Sequence, residues 1–135
     1  MCFIIDREYP EEMVADKDIP CFKILERCSG GSLRAPIFVS FVYFSRFSFR
    51  SKRKVRSRLD LSDVERYGRI DVGLHSHSTK PKTEQYHDIF GAHVHDAYIP
   101  KGARYWYNPH RGEYVSDKLV VSRRRVKHHV CPVKK

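Results

Sequence analysis

The stretch Ile19-Pro-Cys-Phe-Lys-Ile-Leu-Glu26 alternates after its proline, with Cys21, Lys23 and Leu25 on one side and Phe22, Ile24 and Glu26 on the other. A repeat of two is the period of a strand, in which successive side chains point to opposite faces. Gly30-Gly31 then breaks the chain. From Ile37 to Phe49 runs a second segment rich in the β-branched and aromatic residues that fit a pleated surface. It reads as one strand, or two with an irregular join. Its last part sets Phe47 and Phe49 against Arg46, Ser48 and Arg50, so that one face is apolar and the other cationic.

Working outward, Arg69 to Val72 and Leu74 to Thr79 read as extended pieces separated by Gly73. Gly91 to Ile99 reads as a strand stopped by the turn signal Pro100-Lys-Gly102, Ala103 to Tyr107 as extended, and Tyr114 to Val126 as the last strand. Helical spacing is partial at Leu59, Leu61, Val64 and Tyr67, where Ser62-Asp-Val-Glu65 has the pattern of a capping box. Thr83 to Phe90 supplies a second short helix. The expected fold is therefore α+β: a β-rich single domain over 1–126, built on an antiparallel sheet or partly closed barrel with one or two short helices, followed by a basic C-terminal tail over 127–135.

A chain of 135 residues has room for one domain, and 41% hydrophobic with 13% aromatic residues is too apolar for a disordered basic tail. Its longest apolar runs, such as Pro36 to Phe44, are far shorter than the roughly 20 residues a membrane-spanning helix needs. Met1-Cys-Phe-Ile-Ile-Asp6 lacks a basic region ahead of an apolar one, so the expected location is the cytoplasm, with Cys2, Cys21, Cys28 and Cys131 reduced. No Cys-x-x-Cys pair occurs among these four. Cys21, inside an apolar strand, reads as a small core residue.

The charge is local. Arg46 to Arg58 holds seven basic residues and no acid, and Lys118 to Lys135 holds seven more and no acid, together 14 of the 26 Lys and Arg. The remainder has 12 basic against 16 acidic residues, although the whole chain carries a formal +10. Gathered like charge repels itself, which points to an anionic partner, nucleic acid or another polyanion such as the acidic face of another subunit; the alternative is a solvated loop and a frayed tail. The candidate contacts are Arg46, Arg50, Lys52, Arg53, Lys54, Arg56, Arg58, Arg104, Tyr105, Arg123, Arg124 and Arg125. Aromatic rings interleave with basic residues in Phe44 to Arg50 and in Arg104-Tyr-Trp-Tyr107, an arrangement that lets bases stack while phosphates are neutralised; the alternative role for these rings is the core.

Eight histidines offer a second chemistry. His75-x-His77 and His93-x-His95 each place two imidazoles on one face of a strand, and two such strands would nearly complete a shell for Zn or another transition metal. The same alternation equally puts histidines on the wet face of a strand. The His-x-His strand followed by Pro100-x-Gly102 and Asn108 resembles the cupin family, with Tyr105 at the place of that family's third histidine.

Larger pieces carry two further likenesses. Met1-Cys-Phe-Ile-Ile, Asp18 to Leu25, Arg69 to His77, Tyr98-Ile-Pro-Lys-Gly-Ala-Arg-Tyr105 and Gly112-Glu-Tyr-Val-Ser-Asp-Lys-Leu119 resemble a group of small proteins of gut bacteria and their phages with no known activity. Ser76-His-Ser-Thr79, the turn at Pro100-Lys-Gly102 and the strand Glu113-Tyr-Val-Ser-Asp117 resemble the ADP-ribosyltransferase fold. That likeness implies a nucleotide-binding protein whose catalytic carboxylate pair is incomplete, because Val115 stands two residues after Glu113, leaving Glu113 or Asp117 alone to serve. The leading expectation is a non-enzymatic binding domain for a polyanion, with no membrane partner.

Overall fold

The computed structural model describes residues 3–28, 37–40, 46–48, 54–81 and 92–125. In chain order the elements are β1 Phe3–Ile4, β2 Met13–Val14, β3 Ile19–Cys28, β4 Ile37–Ser40, β5 Arg46–Ser48, β6 Lys54–Arg56, α1 Val64–Tyr67, β7 Arg69–Ile70, β8 Leu74–His77, β9 Ala92–Ile99, β10 Arg104–Asn108, β11 Glu113–Ser116 and β12 Lys118–Arg125. The main sheet runs β2-β10-β11-β8-β3-β9-β12-β6, with the β4–β5 hairpin attached to β3, and β1 pairs β7 in a small second sheet. All of these pairings are antiparallel.

β3 lies at the centre, as its alternation predicts. One edge pairs β9 without interruption from Ile19↔Ile99 to Glu26↔Ala92. The other edge is divided: Phe22 pairs His77 of β8, and Leu25 to Cys28 pair β4. Cys21 and Leu25 point into the larger core, with Leu74, Ala97, Ile99, Ala103, Leu119 and Val121. On the reverse face Phe3, Ile70, Trp106 and Val115 form a second cluster, covered by Ile5, Leu59 and Val64. Burial of apolar area on both faces, at about 25 cal/mol per Å², is what holds so many short strands together.

Val55 of β6 and Tyr105 of β10 stand near opposite ends of the strand order yet pack against the same core cluster, so the sheet curls around it. It does not close into a barrel; of the two sheet forms expected, the open one is found. The expected single strand from Tyr114 onward is broken at Asp117 into β11 and β12, which are separated in the sheet order by β8, β3 and β9. Ser116 makes the bend: its buried hydroxyl donates to Lys118 O at 2.9 Å. The Asp117 amide donates to Arg104 O at 3.0 Å, and its carbonyl accepts from Ser57 N at 2.9 Å, so one residue bridges the two ends of the curl.

The Ile37–Phe49 run divides into β4 and β5, paired Ile37↔Ser48 through Val39↔Arg46. The single helix among the described residues is α1, four residues long and capped differently from the expected box. Asp63 is its N-cap without a side-chain cap bond, and the Ser62 amide instead donates to Asp60 Oδ1 at 3.0 Å. Gly68, at φ 63°, ends α1 in the left-handed conformation that a side chain resists. The helix expected over 83–90 and the tail over 127–135 lie outside the described residues.

Two core substitutions and one surface control test this packing in a urea titration. Leu25→Ala, at a site with no exposed surface, is expected to cost about 2–5 kcal/mol. A Cβ at Gly73 would stand 2.5 Å from Val115 Cγ2 and 2.7 Å from Leu59 Cδ2, so Gly73→Ala is expected to cost about 1–3 kcal/mol through overpacking. Val14→Ala, 63% exposed, should change stability by less than about 0.5 kcal/mol. Equal effects at Leu25 and Val14 would contradict the placement of the core.

Candidate functional site

The two acid-free segments meet. β6, from the first, is the terminal strand of the sheet order, and it pairs β12, from the second, through Lys118↔Arg56, Leu119↔Val55 and Val120↔Lys54. The apolar pair sets the register: Leu119 is fully buried and Val55 packs against the same core. Because strand neighbours alternate, turning Val55 inward places Arg56 on the other face, where it is exposed opposite Lys118. Arg56 and Lys118 have no carboxylate within ion-pair distance among the described residues.

The other predicted contacts are distributed less evenly. Arg123, Arg124 and Arg125 continue β12 past its pairing with β6, and Arg125 lies opposite His95. Arg58 is exposed, with its guanidinium 3.9 Å from Asp60. Arg46, on β5, is separated from β12 by β4, β3 and β9, about 19 Å at normal strand spacing. Arg104 is committed elsewhere: its amide donates to Asp117 Oδ1 at 2.9 Å, its Nε lies 3.4 Å from Asp117 Oδ2, and its guanidinium is 3.9 Å from Glu12. Tyr105 packs edge-on against Tyr114 with ring centroids 5.9 Å apart. Arg50, Lys52 and Arg53 lie outside the described residues.

The histidine pairs do not converge. His77 stands opposite Phe22, whereas His93 and His95 stand opposite Leu25 and Lys23. Phe22 and Lys23 are consecutive on β3 and point to opposite faces, so the two His-x-His pairs are divided by the sheet itself. One four-imidazole shell cannot form from this register. His95 is fully buried and its Nδ1–H donates to Ser122 O at 2.9 Å, while His75 Nε2–H donates to Asp71 O at 3.3 Å.

A feature the alternation did not disclose is the environment of Lys23. It is 4% exposed, and its Nζ donates to the backbone carbonyl of His75. It sits where β3 exchanges β8 for β4 along one edge. Burial lowers the Lys23 pKa to about 8, with Cys21 acting in the opposite sense. Burial also pushes the Cys21 thiol up to about 11, against the effects of Ser76 and of the Lys23 charge. His75 and His77 are both lowered to about 4, first by burial and then by Lys23; for His75 the Asp71 carbonyl opposes the shift. Lys23 is thus a buried amine on the Cys21 face of β3 whose charge also acts on the neutral imidazoles of β8.

β8 and β11 pair directly, with Ser76 opposite Tyr114 and Glu113 opposite His77. Burial raises the Glu113 pKa, and Arg111, with Nε 3.3 Å from its carboxylate, opposes that rise. Asp117, the other carboxylate considered for a catalytic role, is occupied by Arg104. No helix among the described residues is long and apolar enough to cross a membrane. No family model, curated protein or solved structure matches the chain.

The histidine shifts fix a pH window. The unfolded chain protonates His75 and His77 near pH 6.5, while the fold holds them neutral to about 4, so the unfolded state binds more protons between these values. Stability should fall by roughly a few kcal/mol as pH drops from about 6.5 to 4, measured by urea titration at each pH. His75→Gln/His77→Gln should flatten that slope. In Lys23→Met the two imidazoles should titrate at higher pH by NMR yet stay below their ordinary range, since burial is the larger cause; unchanged titration would show that the Lys23 charge does not act on them.

Proposed function

We propose that the chain binds a polyanion, nucleic acid above all, along the edge where β6 and β12 pair. The observation that carries this reading is the Lys118↔Arg56 register, which joins two segments that are separately free of acids. Two like charges on adjacent strands, directly opposite, repel each other. An anion docked across them removes that repulsion and releases condensed counterions from a nucleic-acid backbone. Arg123 to Arg125 continue the same strand, so the basic sequence follows β12 and suits an extended phosphate backbone. Arg104, satisfied by Asp117 and Glu12, is left out of the contact set.

Phosphate contacts, rather than recognition of bases, carry this binding. The described rings of β10 belong to the folded body: Trp106 is buried and Tyr105 and Tyr107 are half-buried among Tyr114 and Tyr9. Affinity should therefore depend strongly on salt and weakly on sequence.

Fluorescence anisotropy with labelled single- and double-stranded oligonucleotides at increasing salt tests this. The expected result is binding at low salt with a linear fall of log affinity against log salt. Arg56→Ala/Lys118→Ala should reduce the slope by about 2, at roughly 0.9 for each phosphate no longer neutralised. No binding at low salt, or a slope unchanged in the double variant with its fold intact by circular dichroism, would defeat the proposal.

A further inference from the structure

We infer that Asp6, Glu8 and His110 form a binding site for a divalent transition-metal ion, away from the basic edge and independent of the histidine pairs on β8 and β9. One ligand atom from each of the three lies within 4.8 Å of the others. The set comprises two carboxylates and one imidazole, a mixture of oxygen and nitrogen donors suited to zinc and its neighbours rather than to magnesium or calcium.

The decisive atom is Asp6 Oδ2. The Asp6 side chain is 5% exposed, and Oδ2 is buried without a hydrogen-bond partner among the described residues. A buried carboxylate oxygen without a hydrogen bond is costly, because the water it has lost is only partly replaced. It faces His110 Nε2 at 3.5 Å. Ligand atoms about 2.0–2.1 Å from a tetrahedral zinc stand about 3.3 Å apart, so this pair is already close to the spacing that a shared ion imposes. Glu8 and His110 are exposed at their ends and can close the remaining distance.

The surrounding structure holds the two contributing turns together. Asp6 Oδ1 accepts the Glu8 amide at 2.8 Å and Asp6 O accepts the Tyr9 amide at 3.1 Å, which fixes Glu8 beside Asp6 and leaves Oδ2 turned toward His110. Asn108 ties this segment to the turn between β10 and β11: its Nδ2 donates to Ile4 O at 2.7 Å, and its Oδ1 accepts the Arg111 amide at 3.1 Å. Tyr9 packs edge-on against Tyr107, centroids 5.5 Å apart. Segments distant in the chain are thereby held at one site by contacts independent of the proposed ion. Three protein donors leave a fourth position for water or a ligand, the arrangement of an open zinc site.

The test is titration of the full chain with zinc under reducing conditions, followed by calorimetry and by the NMR resonances of the His110 ring. The expected result is one equivalent that shifts those resonances and is lost in His110→Ala, with the same loss in Glu8→Gln. Because His110 and Glu8 are exposed, both variants should fold, and circular dichroism checks that they do. A titration in which no zinc binds, in which His110→Ala keeps every equivalent, or in which magnesium displaces the ion as readily as zinc binds it, would overturn the site. In the first case Asp6 and His110 are an ion pair alone; in the second the zinc resides on other histidines or cysteines.

Discussion

The uninterrupted ladder between β3 and β9 is the constraint on which the rest of the structure depends. It gives β3 one completed edge, so that the opposite edge can be divided between β8 and β4 without the strand losing its place. At the crossover Lys23 is buried with its ammonium on the carbonyl of His75. The same charge, held in an apolar surrounding, helps to keep His75 and His77 neutral. A topological feature of the sheet thus adds to the burial that keeps two imidazoles on the neighbouring strand neutral.

A second consequence of the curl is the placement of charge. Among the described strands β6 is an edge strand, and exposed edges invite pairing with other chains unless charge or a bulge discourages it. Arg56 meets that need while Val55 holds the strand to the core. Under the proposed function, protection of the edge and attraction of an anion would draw on the same side chain, because a water-exposed cation discourages a second strand and would attract a phosphate backbone alike. β12 has its own irregularity, a register shift against β9 between Val121 and Arg125, where the arginines begin.

Much of the secondary structure was legible because it rests on short-range patterns. The alternation of Cys21, Lys23 and Leu25 against Phe22 and Ile24 predicted a strand, and burial of Cys21 followed from its apolar neighbours. The break at Asp117 was not legible. Tyr114 to Val126 is continuous in strand-forming residues, and its bend is made by the Ser116 hydroxyl and by contacts from Arg104 and Ser57, which are distant in the chain. Ser62 and Glu65 had the spacing of a capping box, but Asp60 captured the Ser62 amide first. Similarly, His75-x-His77 and His93-x-His95 have the right local period for metal ligands, and only the register through Phe22 and Lys23 reveals that a sheet stands between them.

Composition and periodicity by themselves determined that the chain builds short strands, that its positive charge is confined to two segments, and that Cys21 is a core residue. These are properties of neighbours in sequence, set by side-chain size, polarity and the two-residue repeat. Tertiary structure alone decided that β6 and β12, one strand from each basic segment, lie side by side, that Lys23 is buried at a change of strand partner, and that Asp6 and Glu8 face His110. Each of those depends on which strands pair and in what register, and pairing is selected by the simultaneous burial of many apolar residues across the whole sheet, an outcome no local window of sequence contains.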